Sequence, residues 1–214
     1  MKLVIFDLDG TLLNTIGDLA VACNDVLRRY NLPEHKIEEY YTFVGNGIPK
    51  LIERSVPEQD RTPEYVEKLK LEFMDYYKSH LHDETFPYEG INELLAELQK
   101  REVMIAVASN KFQAGVETLL DYFFPSINFV ARFGLSEEVP AKPNPLMVSR
   151  ILAIANATKE ETLYVGDSNV DMVTAINSGL KPIGVSWGFR SKEELVSNGA
   201  WKIVDKPEEI LDLL

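Results

Sequence analysis

The sequence has 214 residues, 45% of them hydrophobic and 26% charged, which is ordinary for a soluble globular protein of one large domain or one domain with a smaller companion. Its net charge of −12 argues against a general nucleic-acid or membrane surface, because such surfaces need a basic patch. The single cysteine, Cys23, excludes an intramolecular disulfide and fits a reducing compartment.

The amino terminus carries one lysine and only a short apolar run, so we expect no secretory signal. No stretch approaches the ~18 apolar residues of a membrane span. We therefore expect a cytoplasmic protein, a monomer or weak homodimer, that binds neither nucleic acid nor membrane. Because the chain is acidic, any site for an anion must carry its own local cation.

The first predicted element is a buried strand over residues 1–6, followed at once by Asp7-Leu8-Asp9-Gly10-Thr11. Ligands bind outside the carboxyl ends of parallel strands, and alternate residues of an extended chain point the same way. Asp7 and Asp9 would therefore crowd together, which is costly unless a cation lies between them. The stretch predicts a Mg²⁺-dependent site with an acidic nucleophile, although Asp-Gly is also an ordinary turn at a strand end.

The next block, residues 15–82, has a helical pattern. Apolar residues at three- and four-residue spacing predict helices over about 19–30, 37–41, 48–54 and 66–77. Thr15 or Asp18 could cap the first helix, and Gly45-Asn46-Gly47 is typical of a tight loop. We expect the many aromatic residues here to pack between helices.

Beyond residue 82, strands alternate with helices. Strands are predicted at 103–108, 128–131, 162–165, 182–185 and 201–204, and helices at 91–98, 116–123, 148–155, 172–176 and 208–214. Met172, Val173 and Ile176 are expected to face inward. This alternation predicts an α/β fold with a doubly wound parallel sheet. The domains are then a catalytic core of residues 1–14 and 83–214 and an all-helical cap of residues 15–82, inserted after the first strand.

Four polar clusters follow strands or open helices of the predicted core. They are Asp7 with Asp9, Ser109 with Asn110, Lys142 before Pro143, and Gly166-Asp167-Ser168 with Asp171. Strand ends of a parallel sheet meet at one edge, so these clusters can converge.

The chemistry of these clusters suits phosphoryl transfer. A carboxylate can act as nucleophile through an aspartyl-phosphate, and Asp7, Asp167 and the Asp9 carbonyl offer the oxygen ligands that Mg²⁺ prefers. The Ser109 hydroxyl and the Lys142 ammonium suit phosphate oxygens. Asp9 could protonate the leaving oxygen and then activate water. Taken singly, each residue could equally be a helix cap, a solvated cation or a first-turn acid.

These residues resemble the motifs of the haloacid dehalogenase superfamily of phosphatases, and the resemblance spans the whole chain. Its four motifs match Asp7-Leu8-Asp9-Gly10-Thr11, Ser109-Asn110-Lys111, Lys142-Pro143, and Gly166-Asp167-Ser168 with Asp171. The helical insert resembles the C1-type cap of that family. The resemblance implies a haloacid dehalogenase-like Rossmannoid core.

The resemblance also implies a role for each matched residue. Asp7 is implied to be the nucleophile and Asp9 the general acid and base. The implied phosphate-binding residues are Thr11, Ser109, Asn110 and Lys142. The implied Mg²⁺ ligands are Asp7, Asp9 and Asp167, supported by Asp171 and Ser168.

Asp9 bears on the reaction class. Dehalogenating members differ at that position because they need no leaving-group acid, so Asp9 favours phosphate ester hydrolysis. Within the superfamily the chain is most similar to phosphoglycolate phosphatases, in Val44-Gly45-Asn46-Gly47 and in residues 184–190. Asn14 departs from the Asp that is common in those relatives, which weakens the substrate assignment and not the chemistry. The implied function is Mg²⁺-dependent hydrolysis of a small, phosphoglycolate-like phosphorylated metabolite through an aspartyl-phosphate.

Other activities stay open from the sequence. A sugar-phosphate mutase or a pyrophosphatase of the same superfamily shares this core, and a non-enzymatic phosphoacceptor module also places acids and a lysine at strand ends. Phosphonoacetaldehyde hydrolases need a Schiff-base lysine in the cap, for which Lys50 is the nearest candidate. We expect Gly45, Asn46, Gly47 and Lys50 to contact the non-phosphate part of the substrate.

Overall fold

The computed structural model describes every residue from Met1 to Leu214 and divides into two compact units. The first unit contains Met1–Asn14 and Pro87–Leu214, and the second contains Thr15–Phe86. The chain therefore leaves the first unit once, soon after its first strand, and returns once. None of its helices combines the length and the apolar character that a membrane crossing requires.

Eight strands and nine α-helices make up the chain. The strands are β1 (Leu3–Phe6), β2 (Leu13–Asn14), β3 (Phe86–Pro87), β4 (Met104–Phe112), β5 (Phe129–Leu135), β6 (Thr162–Gly166), β7 (Lys181–Val185) and β8 (Lys202–Val204). The helices are α1 (Ile16–Arg29), α2 (Ile37–Phe43), α3 (Ile48–Ser55), α4 (Pro63–Tyr77), α5 (Ile91–Lys100), α6 (Gln113–Phe123), α7 (Leu146–Ala155), α8 (Asn169–Ser178) and α9 (Lys192–Ser197). Two 3₁₀ segments, Glu58–Asp60 and Pro207–Leu213, complete the structure.

The first unit is built on a six-stranded parallel sheet in the order β5-β4-β1-β6-β7-β8. The central strand β1 is buried on both faces, because Leu3 and Ile5 pack with α7 while Val4 and Phe6 are also fully buried. Such strands are continuous apolar runs in parallel sheets. The doubly wound α/β fold predicted from the sequence is confirmed.

The register of the sheet brings the polar strand ends level with one another. Phe6 of β1 lies beside Val107 of β4 and Val165 of β6. The residues that follow on all three strands therefore reach the same edge of the sheet, and Asp7 is the first of them on β1.

The second unit packs α1 to α4 around aromatic side chains. Tyr40, Phe73 and Tyr77 are completely buried, and the rings of Phe73 and Tyr77 lie 5.0 Å apart. The aromatic residues of this segment thus form helix-to-helix packing, as predicted. The carboxylate of Asp18 accepts hydrogen bonds from the backbone N–H of Glu84 at 2.8 Å and from the Thr85 hydroxyl at 2.6 Å. These bonds tie the start of the unit to its end.

Several local predictions were wrong. Thr15 is the N-cap residue of α1, as predicted, but its side chain makes no capping hydrogen bond. Asp18 does not cap the helix, because its carboxylate is held by the two distant residues just described. Ile176 is half exposed on the outer side of α8, and Trp201 precedes β8 and is also half exposed. Neither side chain adds to the core.

The two strands at the β5 edge of the sheet are longer than predicted. Strand β4 continues to Phe112, so Ser109, Asn110 and Lys111 lie within it and not after it. Strand β5 extends to Leu135 beyond the predicted end at residue 131. The cause is a break in register between Ala108 and Phe112, after which pairing with β5 resumes.

Candidate active site

Three carboxylates converge at the carboxyl edge of the sheet. Asp7 follows β1, Asp167 follows β6, and Asp171 lies in the first turn of α8. One ligand oxygen from each lies within 4.8 Å of the others, and all three side chains are buried. The structure thus brings together three of the residues that the sequence singled out.

Lys142 supplies a positive charge among these carboxylates. Its Nζ lies 2.8 Å from Oδ1 of Asp7 and 2.7 Å from Oδ1 of Asp171. Burial opposes the lysine cation, but the charges of Asp171 and Asp7 outweigh it and raise the pKa of Lys142 well above its usual value. The lysine is therefore charged in the folded protein.

Asn110 holds the backbone of Lys142 in place. The Lys142 N–H donates to Oδ1 of Asn110 at 2.7 Å, and the Asn110 amide donates to the Lys142 carbonyl at 3.2 Å. The Asn110 side chain thus joins β4 to the Lys142 loop, and its contact with phosphate stays a prediction. Its placement makes it a support of the lysine.

Asp171 is fixed by the start of its own helix. Its Oδ2 accepts hydrogen bonds from the Ser168 hydroxyl at 2.6 Å and the Ser168 N–H at 3.1 Å, and Ser168 in turn caps α8. This reciprocal arrangement is a capping box. Tyr164, which the sequence analysis did not single out, donates its hydroxyl to Oδ1 of Asp171 at 3.2 Å. Ser168 and Tyr164 therefore orient Asp171.

Asp167 is held from two sides. The Phe189 N–H donates to its Oδ2 at 2.7 Å, and the Thr11 hydroxyl donates to its Oδ1 at 3.4 Å. Gly188 lets the 187–189 loop come this close, because a Cβ there would lie 2.2 Å from the Cβ of Asp167. Burial and repulsion from Asp171 raise the pKa of Asp167 to about 7, partly offset by the Phe189 N–H.

The surroundings of Asp7 favour the binding of a cation. Burial raises its pKa well above the usual value, repulsion from Asp171 and Asp167 adds to this, and Lys142 opposes it. Its buried Oδ1 has no assigned hydrogen-bond partner, although Nζ of Lys142 lies 2.8 Å away as an ion-pair contact. Three buried carboxylates facing one lysine leave excess negative charge, and hard oxygen ligands suit Mg²⁺. The residues present therefore fit a divalent cation.

Asp9 lies beside a second lysine. Nζ of Lys111 donates to Oδ1 of Asp9 at 3.0 Å, and the lysine side chain is 3% exposed. Lys111 belongs to the second motif, but no role for it was predicted from the sequence. The available signal was a lysine at a strand end of an acidic chain, next to residues that were singled out. The Ser109 hydroxyl accepts the Lys111 N–H at 3.1 Å in the same segment.

The predicted substrate-contacting residues of the cap lie in the second unit. Arg54 donates to Oδ1 of Asn46 at 2.8 Å, and Lys50 pairs with Glu53 at 2.5 Å within α3. Lys50 is half exposed, unlike the desolvated amine that Schiff-base chemistry uses. Contact of Gly45, Asn46, Gly47 and Lys50 with substrate stays a prediction.

Comparison with known proteins defines the class to which this fold and site belong. The family profile of haloacid dehalogenase-like hydrolases matches residues 4–185, and the chain belongs to that family. Within it, the chain belongs to the phosphoglycolate phosphatase-like group and is a hydrolase of phosphoric monoesters.

Individual relatives cover almost the whole chain. The phosphoglycolate phosphatase of Haemophilus influenzae strain 86-028NP is 30% identical over 100% of this chain and 98% of its own length. The phosphoglycolate phosphatase of Vibrio parahaemolyticus is 29% identical over 100% of this chain and 96% of its own length. A similar crystal structure comes from Lactobacillus delbrueckii subsp. bulgaricus and is provisionally described as a phosphoglycolate phosphatase. Its TM-score to this chain is 0.93, with 31% sequence identity, and the match covers 99% of this chain and 97% of that one.

Proposed function

We propose that this enzyme is a Mg²⁺-dependent phosphatase that hydrolyses a small, phosphoglycolate-like metabolite through an aspartyl-phosphate on Asp7. Full-length relatives that carry the name phosphoglycolate phosphatase support the substrate class. The single observation that carries the mechanism is the buried Asp7 carboxylate at the end of β1, whose Oδ1 has no assigned hydrogen-bond partner and lies beside Lys142.

In the first step, a carboxylate oxygen of Asp7 forms a bond to phosphorus while the bond from phosphorus to the ester oxygen breaks. The leaving oxygen takes a proton from Asp9, so the alcohol departs neutral. Lys142 and the Ser109 hydroxyl are assigned to hold the phosphoryl oxygens. Thr11 and Asn110 are assigned to the same phosphate site from the motifs of the family. In this assignment Lys142 provides the local cation that an acidic chain needs to bind an anion.

In the second step, the carboxylate of Asp9 removes a proton from a water molecule, and the water oxygen attacks the phosphorus of the aspartyl-phosphate. The bond between phosphorus and Asp7 breaks, which releases inorganic phosphate and restores the carboxylate. Asp9 has then regained the proton that it gave to the leaving group. The same two residues therefore complete the cycle without a further acid or base.

Asp7, Asp167 and the backbone carbonyl of Asp9 are the residues that would hold Mg²⁺, with Asp171 and Ser168 supporting them. When bound, the ion supplies positive charge that offsets the charge on the phosphoryl oxygens. Asp167 and Asp171 are thus assigned to the metal site alone, and neither is assigned a contact with the reacting atoms.

We assign the second unit the role of a cap that reads the non-phosphate part of the substrate, with Gly45, Asn46, Gly47 and Lys50 as its contacts. Its insertion after the first strand supports this role. Substitution of Asn46 by Ala is expected to change KM for some phosphoesters and not for others, which a purely structural loop would not do.

The test is phosphate release from phosphoglycolate, pyrophosphate and sugar phosphates, with and without Mg²⁺. We expect metal-dependent release, highest for a small carboxylated ester, and loss of release in Asp7→Asn. Lys100→Met, at an exposed lysine paired with Glu97, is the matched control. Absence of metal-dependent release across the panel would overturn the proposal, and isomerisation of a sugar phosphate without release would replace it by intramolecular transfer.

A further inference from the structure

The mechanism above does not use the ion pair formed by Lys111 and Asp9. The lysine is almost completely buried, while the Asp9 side chain is 15% exposed. Buried lysines are rare unless they are paired, so the contact fixes both groups. Asp9 is also the residue to which proton transfer is assigned, which makes its orientation important.

An irregularity in β4 presents Lys111 to Asp9. Ala108 lies opposite Phe133 of β5, and Phe112 lies opposite Leu135. The three residues 109–111 therefore face the single residue 134, which makes this segment a bulge. Bulges interrupt strand pairing and redirect side chains, and they are common beside active sites.

Gln113 and Gly134 build this bulge. The Gly134 N–H donates to Oε1 of Gln113 at 2.7 Å, and Nε2 of Gln113 donates to the Arg132 carbonyl at 3.0 Å. The side-chain amide of Gln113 thus bonds the backbone of β5 on both sides of Phe133. A Cβ on residue 134 would lie 2.6 Å from the Lys111 carbonyl oxygen, so only glycine fits there.

We propose that Lys111 is a positioning residue for Asp9, and that Gln113 and Gly134 hold it in that role through the bulge. The proposal rests on the proposed function. The hydrogen bond from Nζ fixes one oxygen of the Asp9 carboxyl group and leaves the other to exchange a proton with the leaving oxygen. Alignment of a catalytic group before reaction removes an entropic cost from the barrier. An ion pair that only stabilised the fold would have no such link to proton transfer.

The chemistry of the leaving group distinguishes a lysine that positions Asp9 from one that only stabilises the fold. An alkyl phosphate needs a proton on its leaving oxygen, whereas p-nitrophenyl phosphate loses a stable anion and needs none. The value of kcat/KM reports the first step for both esters. In Lys111→Met we expect kcat/KM for the alkyl ester to fall about tenfold or more, toward the 10²–10⁴-fold range of general acid catalysis, and that for the aryl ester to change little.

A double variant tests whether Lys111 acts through Asp9. Asp9→Asn should show the same dependence on leaving group, and Lys111→Met should add little further loss for the alkyl ester in an Asp9→Asn background. Gln113→Ala, which leaves both site residues in place, should give a weaker form of the same pattern. Lys100→Met should change neither ester. Thermal unfolding of each variant establishes that the fold is kept.

Equal losses for the two esters in both Lys111→Met and Gln113→Ala, or additive losses in the double variant, would overturn the positioning role. A change confined to KM for carboxylated substrates would do the same, because Lys111 would then bind substrate. If the unmodified enzyme hydrolyses neither ester, the proposed function itself fails. If it hydrolyses both, only the positioning role is at stake.

Discussion

The ammonium of Lys142 donates a 2.7 Å hydrogen bond to Oδ1 of Asp171, and both side chains are almost completely removed from solvent. Two charges buried at this distance attract strongly, but each has given up its hydration to be there. The pair joins the loop before α7 to the first turn of α8, and thus connects two of the motifs that were quoted from the sequence. Removal of either partner would leave the other as an uncompensated buried charge, which is strongly destabilising.

Substitution of Lys142 by Met should destabilise the metal-free protein. The change removes the one cation that contacts both Asp7 and Asp171, and leaves two buried carboxylates without it. Breaking a buried pair in this way typically costs about 3–5 kcal/mol. The free energy of unfolding in urea measures the effect, with Lys100→Met expected to stay within about 0.5 kcal/mol. An unchanged value for Lys142→Met would contradict the arrangement described.

Substitution of Asp167 by Asn should stabilise the metal-free protein at neutral pH while it abolishes metal-dependent activity. The pKa of Asp167 in the folded chain, about 7, exceeds the value of about 3.9 expected when unfolded. The folded state therefore binds that proton more tightly, and stability declines as pH rises from about 4 to about 7. Asn never ionises and avoids this loss.

The gain for Asp167→Asn should be roughly a few kcal/mol at pH 8, since each pKa unit is worth about 1.4 kcal/mol. It should become negligible below about pH 3, where Asp167 is protonated in both the folded and the unfolded state. Urea unfolding across this pH range checks both points. Asp121→Asn, at an exposed carboxylate, serves as control. A variant that is less stable than the original protein at pH 8 would argue against the electrostatic strain inferred at this site.

The apparent affinity for Mg²⁺ should depend on pH below neutrality. Ligand carboxylates must be ionised to bind a cation, and the pKa of Asp167 is about 7 in the metal-free protein. Affinity should therefore fall about tenfold per pH unit below 7, with at least one proton released for each ion bound. Calorimetric titration in buffers of different ionisation enthalpy counts these protons. A constant affinity between pH 5.5 and 8 would contradict the assignment of Asp167 as a ligand.

Ser168→Ala and Ser191→Ala offer a matched comparison of helix caps. Each serine accepts a backbone N–H as the cap of its helix, α8 and α9 respectively. Each change should cost about 1 kcal/mol of stability. Only Ser168 also binds the carboxylate of Asp171, so only Ser168→Ala should lower kcat/KM. Equal activity in the two variants would show that the Ser168 contact has no part in the chemistry.

The parts of the structure that follow local sequence rules were predictable. The buried strand β1, the acids after it and the Ser168–Asp171 capping box depend on residues close together in the chain. Their apolar periodicity and capping chemistry can be recognised without the fold. The predicted convergence of Asp7, Asp167 and Asp171 needed only the parallel arrangement of strands.

The parts that depend on distant partners were not predictable. The extension of β4 through Ser109, Asn110 and Lys111 depends on Gln113 and on Gly134 of β5, which no local pattern connects. Lys111 was left without a role for the same reason.

Two other misses have the same origin. The carboxylate of Asp18 was available as a helix cap, yet Glu84 and Thr85 take it. Ile176 shares the spacing of inward residues, but its side chain is half exposed, because the neighbouring Gly199 has no side chain to cover it.

The most direct test of the account is the site of covalent phosphorylation. The Asp9→Asn variant should form the aspartyl-phosphate from an aryl ester and then hydrolyse it slowly, because it lacks the base that activates water. Rapid acid quench followed by peptide mass spectrometry locates the phosphoryl group. We expect one phosphoryl group on Asp7 in Asp9→Asn, and none in Asp7→Asn. A phosphoryl group on any other residue would contradict the mechanism. The absence of a trapped intermediate in Asp9→Asn, although the unmodified enzyme hydrolyses the ester, would also contradict it.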